Sequence, residues 1–111
     1  MIVEDEPALR RLMTMALEQA GYRVVQAANG EEATQLFDRV GAEIDLLITD
    51  VQMPLVDGAE LIERLKARRR TLKTMCISAT RRIPKTTNGF IPKPFSRQAF
   101  LDGIAALLHS R

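Results

Sequence analysis

The chain has no tryptophan, one tyrosine, one histidine and one cysteine. A lone Cys76 excludes an internal disulfide, and with His109 as the only histidine no set of soft ligands for a structural zinc can be assembled. Any metal site must be built from oxygens. No apolar run approaches the roughly 18 residues of a membrane span, and no basic region followed by a long apolar stretch opens the chain, so neither a span nor an export signal is visible. A cytoplasmic, reducing setting is the expectation. Charge of one sign is also lacking: 16 Lys and Arg against 14 Asp and Glu leave +2, too little to argue for nucleic acid or a membrane surface. Low-complexity segments and internal repeats are absent.

What is present fits one globular domain over residues 1–111. The apolar share is 46% and the charged share 27%, and a chain of this size buries roughly 65% of its unfolded surface. The chain opens at Met1-Ile2-Val3, barely half a strand before charged residues begin, so a longer parent protein is expected.

Strand and helix patterns alternate. Met1 to Val3 is a short apolar run, Pro7 stands where a first helical residue belongs, and Leu9, Leu12, Met13, Ala16, Leu17 and Ala20 recur at helical spacing. Met15 lies on or beside that buried face, and Gly21 ends the helix. Tyr22 to Ala27 is β-rich; Asn29 caps a second helix with Glu32 three positions on, and Ala33, Leu36, Phe37 and Val40 form its apolar face up to Gly41. Ile44 to Thr49 reads as a strand covered on both faces and stops at Asp50. After a turn at Pro54, Asp57-Gly58 opens a third helix with Leu61, Ile62 and Leu65 inside, fraying into Lys66 and Arg68 to Arg70. Leu72 to Ser78 is a fourth strand, with Met75 and Cys76 in the core, and Gly89 to Pro92 a fifth. A last helix starts at Ser96, with Phe95 and Phe100 spaced as a hydrophobic staple and Ile104, Leu107 and Leu108 continuing the stripe.

Five strands alternating with helices specify an α/β fold with a parallel sheet, in which reactive groups gather beyond the carboxyl ends of the strands. The residues at those ends are Glu4-Asp5, Asp50, Ser78 and Lys93. Carboxylates brought together repel unless a cation enters, and an oxygen-only site that keeps water suits Mg²⁺. A carboxylate is also a competent phosphoryl nucleophile, and a metal, a lysine and a hydroxyl would neutralise the oxygens of the transferring group.

These residues bring the chain to a known family. It resembles the receiver domain of two-component response regulators over essentially its whole length, through Val3-Glu4-Asp5-Glu6-Pro7, Leu47-Ile48-Thr49-Asp50-Val51-Gln52-Met53-Pro54 with Asp57-Gly58, Ser78-Ala79, and Lys93-Pro94-Phe95. The resemblance implies a flavodoxin-like, doubly wound sheet of five parallel strands in the order 2-1-3-4-5. It makes Asp50 the phosphoacceptor, charged from the phosphohistidine of a histidine kinase or histidine phosphotransfer protein. Asp5, Asp50 and the Gln52 backbone carbonyl would hold Mg²⁺, with Glu4 supporting it directly or through water. Lys93 would bind the phosphoryl oxygen, Ser78 would reorient onto the phosphate, and Phe90 stands at the switch aromatic's position. Lys93-Pro94 resembles the family's cis peptide, and Gln52 and Thr80 fall where relatives tune the lifetime of the acyl phosphate. Such a domain catalyses its own phosphorylation and dephosphorylation, yet is mainly a signalling switch. A kinase or output domain covalently attached outside this chain is a further implied partner; direct nucleic-acid and membrane contact are not.

One departure stands out. Only 14 residues, Ala79 to Pro92, separate Ser78 from Lys93, where the family fits a loop, a full fourth helix and the approach to strand five. The segment has no apolar helical stripe, so that helix is expected to be missing or reduced to a turn, and the usual output surface remodelled. A pseudo-receiver that keeps the fold without switching is therefore an alternative. A haloacid dehalogenase-type phosphohydrolase is another, but it needs a second acid two residues after the nucleophile, where this chain has Gln52. The basic run with Lys66, Arg68 to Arg70 and Lys73 lacks the interleaved aromatics of a nucleic-acid surface and reads as a solvated helix end. His109 reads as a helix-end or surface residue.

Overall fold

Successive side chains of a strand point to opposite faces, so the apolar residues of each strand decide how the chain is layered. The computed structural model describes residues 1–53, 55–80 and 82–109. In chain order the elements are β1 (Ile2–Val3), α1 (Pro7–Gln19), β2 (Gln26–Ala27), α2 (Gly30–Val40), β3 (Leu46–Asp50), α3 (Gly58–Arg68), β4 (Lys73–Ser78), β5 (Gly89–Pro92) and α4 (Arg97–Leu108). The strands are all parallel, in the order β2-β1-β3-β4-β5. This is the flavodoxin-like arrangement that the alternation and the resemblance imply.

The pleat sorts the core into two layers. Ile2, Leu46, Ile48, Met75, Ile77 and Ile91 pack with Met13, Ala16 and Leu17 of α1 and Phe100 and Ile104 of α4. Their neighbours Val3, Leu47 and Cys76 pack with Ala33 and Phe37 of α2 and Leu61, Ile62 and Leu65 of α3. Burying each such Leu or Ile contributes about 1.5–3 kcal/mol, so the two layers are the main source of stability. Every residue of β3 is buried, because helices cover both of its faces.

Local signals set the helix starts. Asn29 Oδ1 accepts the Glu32 N–H at 2.8 Å, Asp57 Oδ1 the Glu60 N–H at 2.9 Å, and Ser96 Oγ the Ala99 N–H at 3.0 Å. Pro7 opens α1 without a side-chain cap, and Gly21 follows it at φ 96°, a left-handed conformation suited to glycine. The Phe95 and Phe100 rings stack with centroids 5.3 Å apart at the start of α4.

Several expectations are corrected. The β-rich run from Tyr22 to Ala27 yields only the two residues of β2, because β2 is an edge strand and β1 offers it only the pairs Ile2–Gln26 and Val3–Ala27. Ile44 is buried ahead of β3 but closes the 3₁₀ turn Gly41–Glu43, donating its N–H to the Gly41 carbonyl. Asp50 lies inside β3, not beyond it. On α1, Leu12 is 64% and Met15 47% exposed, since each residue turns about 100° from the last and the buried stripe is centred on Met13, Ala16 and Leu17. The turn expected at Pro54 lies outside the described residues.

The basic run is also not simply solvated. Arg68 Nε pairs with Asp38 at 2.7 Å, while Arg69 donates to the Gly41 carbonyl and lies 5.7 Å from the centre of the Phe37 ring. Between β4 and β5 no helix occurs among the described residues, as expected. Lys66 of α3 reaches across instead, its Nζ donating to the Thr86 carbonyl at 2.8 Å and to Asn88 Oδ1 at 3.0 Å. Asn88 Oδ1 also accepts the Thr74 N–H at 2.9 Å, so the far end of the short connection is tied to both β4 and α3. No helix among the described residues is long and apolar enough to cross a membrane.

Candidate functional site

The sheet delivers its acids to one edge. Val3 pairs with Thr49 and Asp50 with Ile77, so Glu4 follows β1 beside the end of β3, and Ser78 lies one residue beyond Asp50's partner on β4. Ser78 pairs in turn with Pro92, which brings Lys93 to the same edge. Gly58 lets α3 close against this edge: a Cβ there would lie 2.3 Å from the Asp50 carbonyl oxygen and 2.8 Å from Val51 Cα. The Gly58 N–H donates to the Val51 carbonyl at 2.9 Å.

Glu4, Asp5 and Asp50 each offer a carboxylate oxygen within 4.8 Å of the others. Lys93 Nζ lies 2.5 Å from Asp50 Oδ2 and 3.4 Å from Glu4 Oε2. Asp50 Oδ1 accepts the Gln52 N–H at 2.9 Å, so both oxygens of that carboxylate are held. Glu4 is 1% exposed, and its Oε1 accepts the Glu6 N–H at 3.2 Å. Burial drives the Glu4 carboxyl up to about 7, and the Asp50 charge adds to the rise, while the Glu6 N–H and the Lys93 ammonium oppose it. Burial by itself lowers the Lys93 ammonium, but the hydrogen bond to Asp50 and the charges of Glu4 and Asp50 together raise it.

This donor set fits a small, hard divalent cation. Three carboxyl groups share one ammonium, and all are oxygen donors of the kind that Mg²⁺ prefers.

The other singled-out residues surround this cluster. Ser78 is wholly buried, and its Oγ stands 3.1 Å from Thr80 Oγ1 and 3.0 Å from the Thr80 nitrogen. Gln52 and Thr80 line one cleft with Val51, Arg82 and Pro84. The Lys93–Pro94 peptide is cis. Phe90 is set apart: it pairs with Cys76 on β5 and packs into the core layer of α2 and α3. Cys76 is buried, which pushes its thiol up, with the Asp50 charge adding to the rise and a hydrogen bond from Thr87 opposing it. His109 is an exposed residue at the end of α4. Sequence reasoning missed Arg10, whose Nη1 donates to the Glu4 carbonyl at 2.7 Å and braces the turn that carries Glu4 and Asp5. Its place in the first turns of α1, six residues past Glu4, was the only available signal.

A parallel five-stranded sheet with acids, a hydroxyl and a lysine at its carboxyl edge defines a receiver-like class of protein. The response regulator receiver domain model matches residues 1–105, and the chain belongs to that family. It is 33% identical to the sensor kinase CckA of Brucella abortus, over all of this chain but 12% of the kinase. The crystal structure of the receiver domain of the hybrid histidine kinase CckA superposes with a TM-score of 0.88 at 34% identity, covering 97% of this chain and 96% of that one. The response regulator TrrA of Thermotoga maritima, solved in complex with Mg²⁺ and beryllium fluoride, gives 0.85 at 26% identity, covering 96% of this chain and 95% of TrrA. The chain spans less than half the length of the curated relatives it matches.

Proposed function

We propose that residues 1–111 form a phospho-accepting receiver domain of a two-component phosphorelay, with Asp50 as the acceptor, working in the cytoplasm. The observation that carries the reading is the convergence of Glu4, Asp5, Asp50 and Lys93 at one sheet edge. The donor is a phosphohistidine on a histidine kinase or histidine phosphotransfer protein. An Asp50 carboxylate oxygen forms the new bond to phosphorus as the N–P bond breaks, and the imidazole leaves with the electron pair of that bond.

Asp5, the Asp50 carboxylate and the Gln52 carbonyl are the proposed Mg²⁺ ligands, with Glu4 in support. Mg²⁺, when bound, would neutralise charge on the transferring oxygens. Gln52 N–H and Lys93 orient the Asp50 carboxylate before transfer, and Lys93 then moves its charge onto a phosphoryl oxygen. Ser78 turns its hydroxyl to the phosphoryl group, and Phe90 responds from β5. Gln52 and Thr80 flank the path of the hydrolytic water. A kinase or output module joined to this domain in a longer protein is the proposed covalent partner.

A phosphorylated histidine phosphotransfer protein provides the test. On mixing with this chain and Mg²⁺, loss of its phosphohistidine with matching label on the chain is expected, and no label on Asp50→Asn. Retention of the phosphohistidine with every histidine phosphotransfer protein tried, together with no acyl phosphate from a small donor, would favour the pseudo-receiver reading, for which the connection between β4 and β5, without a helix among its described residues, is the supporting observation.

A further inference from the structure

We propose that the Thr80 hydroxyl is a latch on Ser78, holding the Ser78 hydroxyl hydrogen in the resting domain and competing for it with the phosphoryl group. The inference rests on the aspartyl phosphorylation proposed above and concerns how it is regulated. A serine hydroxyl has one hydrogen to give and two lone pairs to fill. The Thr80 N–H, 3.0 Å from Ser78 Oγ, fills one lone pair and fixes the orientation of the group. The second contact, 3.1 Å from Ser78 Oγ to Thr80 Oγ1, joins two hydroxyls, so either oxygen could donate.

Burial decides between the two. Ser78 is 0% exposed, whereas Thr80 is only partly buried and lines an open cleft. If Thr80 donated, both Ser78 lone pairs would be filled and the Ser78 hydrogen would be left without an acceptor among the described residues, at a cost of about 1–3 kcal/mol. If Ser78 donates, its hydrogen is satisfied and the Thr80 hydrogen turns to water in the cleft at little cost. Ser78 is therefore the donor and Thr80 the acceptor.

A phosphoryl oxygen on Asp50 is a charged, stronger acceptor and draws the same hydrogen away. Thr80 is then freed into the cleft it shares with Gln52, Arg82 and Pro84. The far end of the connection stays tied through Thr86 and Asn88 to Lys66, so the release is felt where Thr80, Arg82 and Pro84 line the cleft. The latch thus raises the threshold for switching by about one hydrogen bond.

Beryllium fluoride with Mg²⁺, a phosphoryl mimic that does not hydrolyse, separates this effect from any change in acyl-phosphate lifetime. Titration into wild type, Thr80→Val, Thr80→Ala and Thr80→Ser is followed by amide NMR shifts of residues 78–84. Thr80→Val is expected to lower the half-saturating concentration about fivefold, the worth of one net hydrogen bond. Thr80→Ala should match it should the valine variant fail to fold, Thr80→Ser should keep the wild-type value, and Mg²⁺ affinity without fluoride should be unchanged throughout. Saturation of wild type with the same midpoint in the valine and alanine variants, or a serine variant that behaves like alanine, overturns the latch alone. A wild type that takes neither the mimic nor a phosphoryl group overturns the receiver reading and the latch with it.

Discussion

Glu4 shows how burial holds a proton on an acid. Its carboxyl shares the Lys93 ammonium with Asp50, and burial holds its proton up to about 7. The folded domain therefore keeps a proton that the unfolded chain releases near 4.5. A raised acid stabilises the fold below its unfolded value, and that contribution is lost as pH climbs through the folded one. In chelator, the melting temperature of wild type should fall relative to Glu4→Gln as pH rises from about 4.5 to about 7. Parallel melting curves for the two proteins across that window would contradict the assignment. Added Mg²⁺ should offset the loss, because the cation replaces the proton as the compensating charge. Residue identities at the strand ends were legible in the sequence because runs of β-formers stop there. The pairing of Ser78 with Thr80 was not, since it depends on how the backbone turns after β4.

Elements were legible where the period and the cap agreed. Asn29, Asp57 and Ser96 each cap the helix that the apolar spacing anticipates, and β5 runs over Gly89–Pro92 as read. Boundaries failed where tertiary pairing overrides local preference, as in β2, whose β-rich run exceeds the two residues of β1 that pair with it. The basic run at the end of α3 failed for the opposite reason: side-chain spacing says nothing of Phe37, Gly41, Asp38 and Asn88, the distant groups that Arg69, Arg68 and Lys66 find. Gly58 is where the joint between α3 and β3 is tightest. Gly58 is the first residue of α3, where alanine gains little of its helix-interior advantage over glycine, and a Cβ here meets backbone at 2.3 Å, which cannot rotate aside. Overpacking of that kind costs about 1–3 kcal/mol, so the clash outweighs the propensity gain. Gly58→Ala should lower unfolding free energy by about 1–2 kcal/mol in urea titrations and weaken Mg²⁺ binding through the displaced Asp50. A variant as stable as wild type would show that α3 does not press on the site as described.

At the scale of the molecule, a sheet covered on both faces leaves its carboxyl edge as the place where unlike strands meet, and the site is built from four of them. The order of acids, hydroxyl and lysine was legible along the chain, and the sheet brings these residues to one edge. The bracing of the short β4–β5 connection by Lys66 and Asn88 was not legible, because it rests on contacts made across the fold. A ligand that binds only the assembled edge must stabilise the whole domain by mass action, about 2.7 kcal/mol at a hundredfold excess over its dissociation constant. For a domain near this size that corresponds to a rise in melting temperature on the order of 10 °C, and Asp50→Asn should reduce it.

Phosphoryl uptake by Asp50 is tested most directly by intact-mass spectrometry after incubation with Mg²⁺ and a small-molecule phosphodonor, beside a metal-free sample and Asp50→Asn. One added phosphoryl group in the wild type with Mg²⁺, and none in either control, is the expected result. An unmodified wild type, or an adduct that persists in Asp50→Asn, would contradict it.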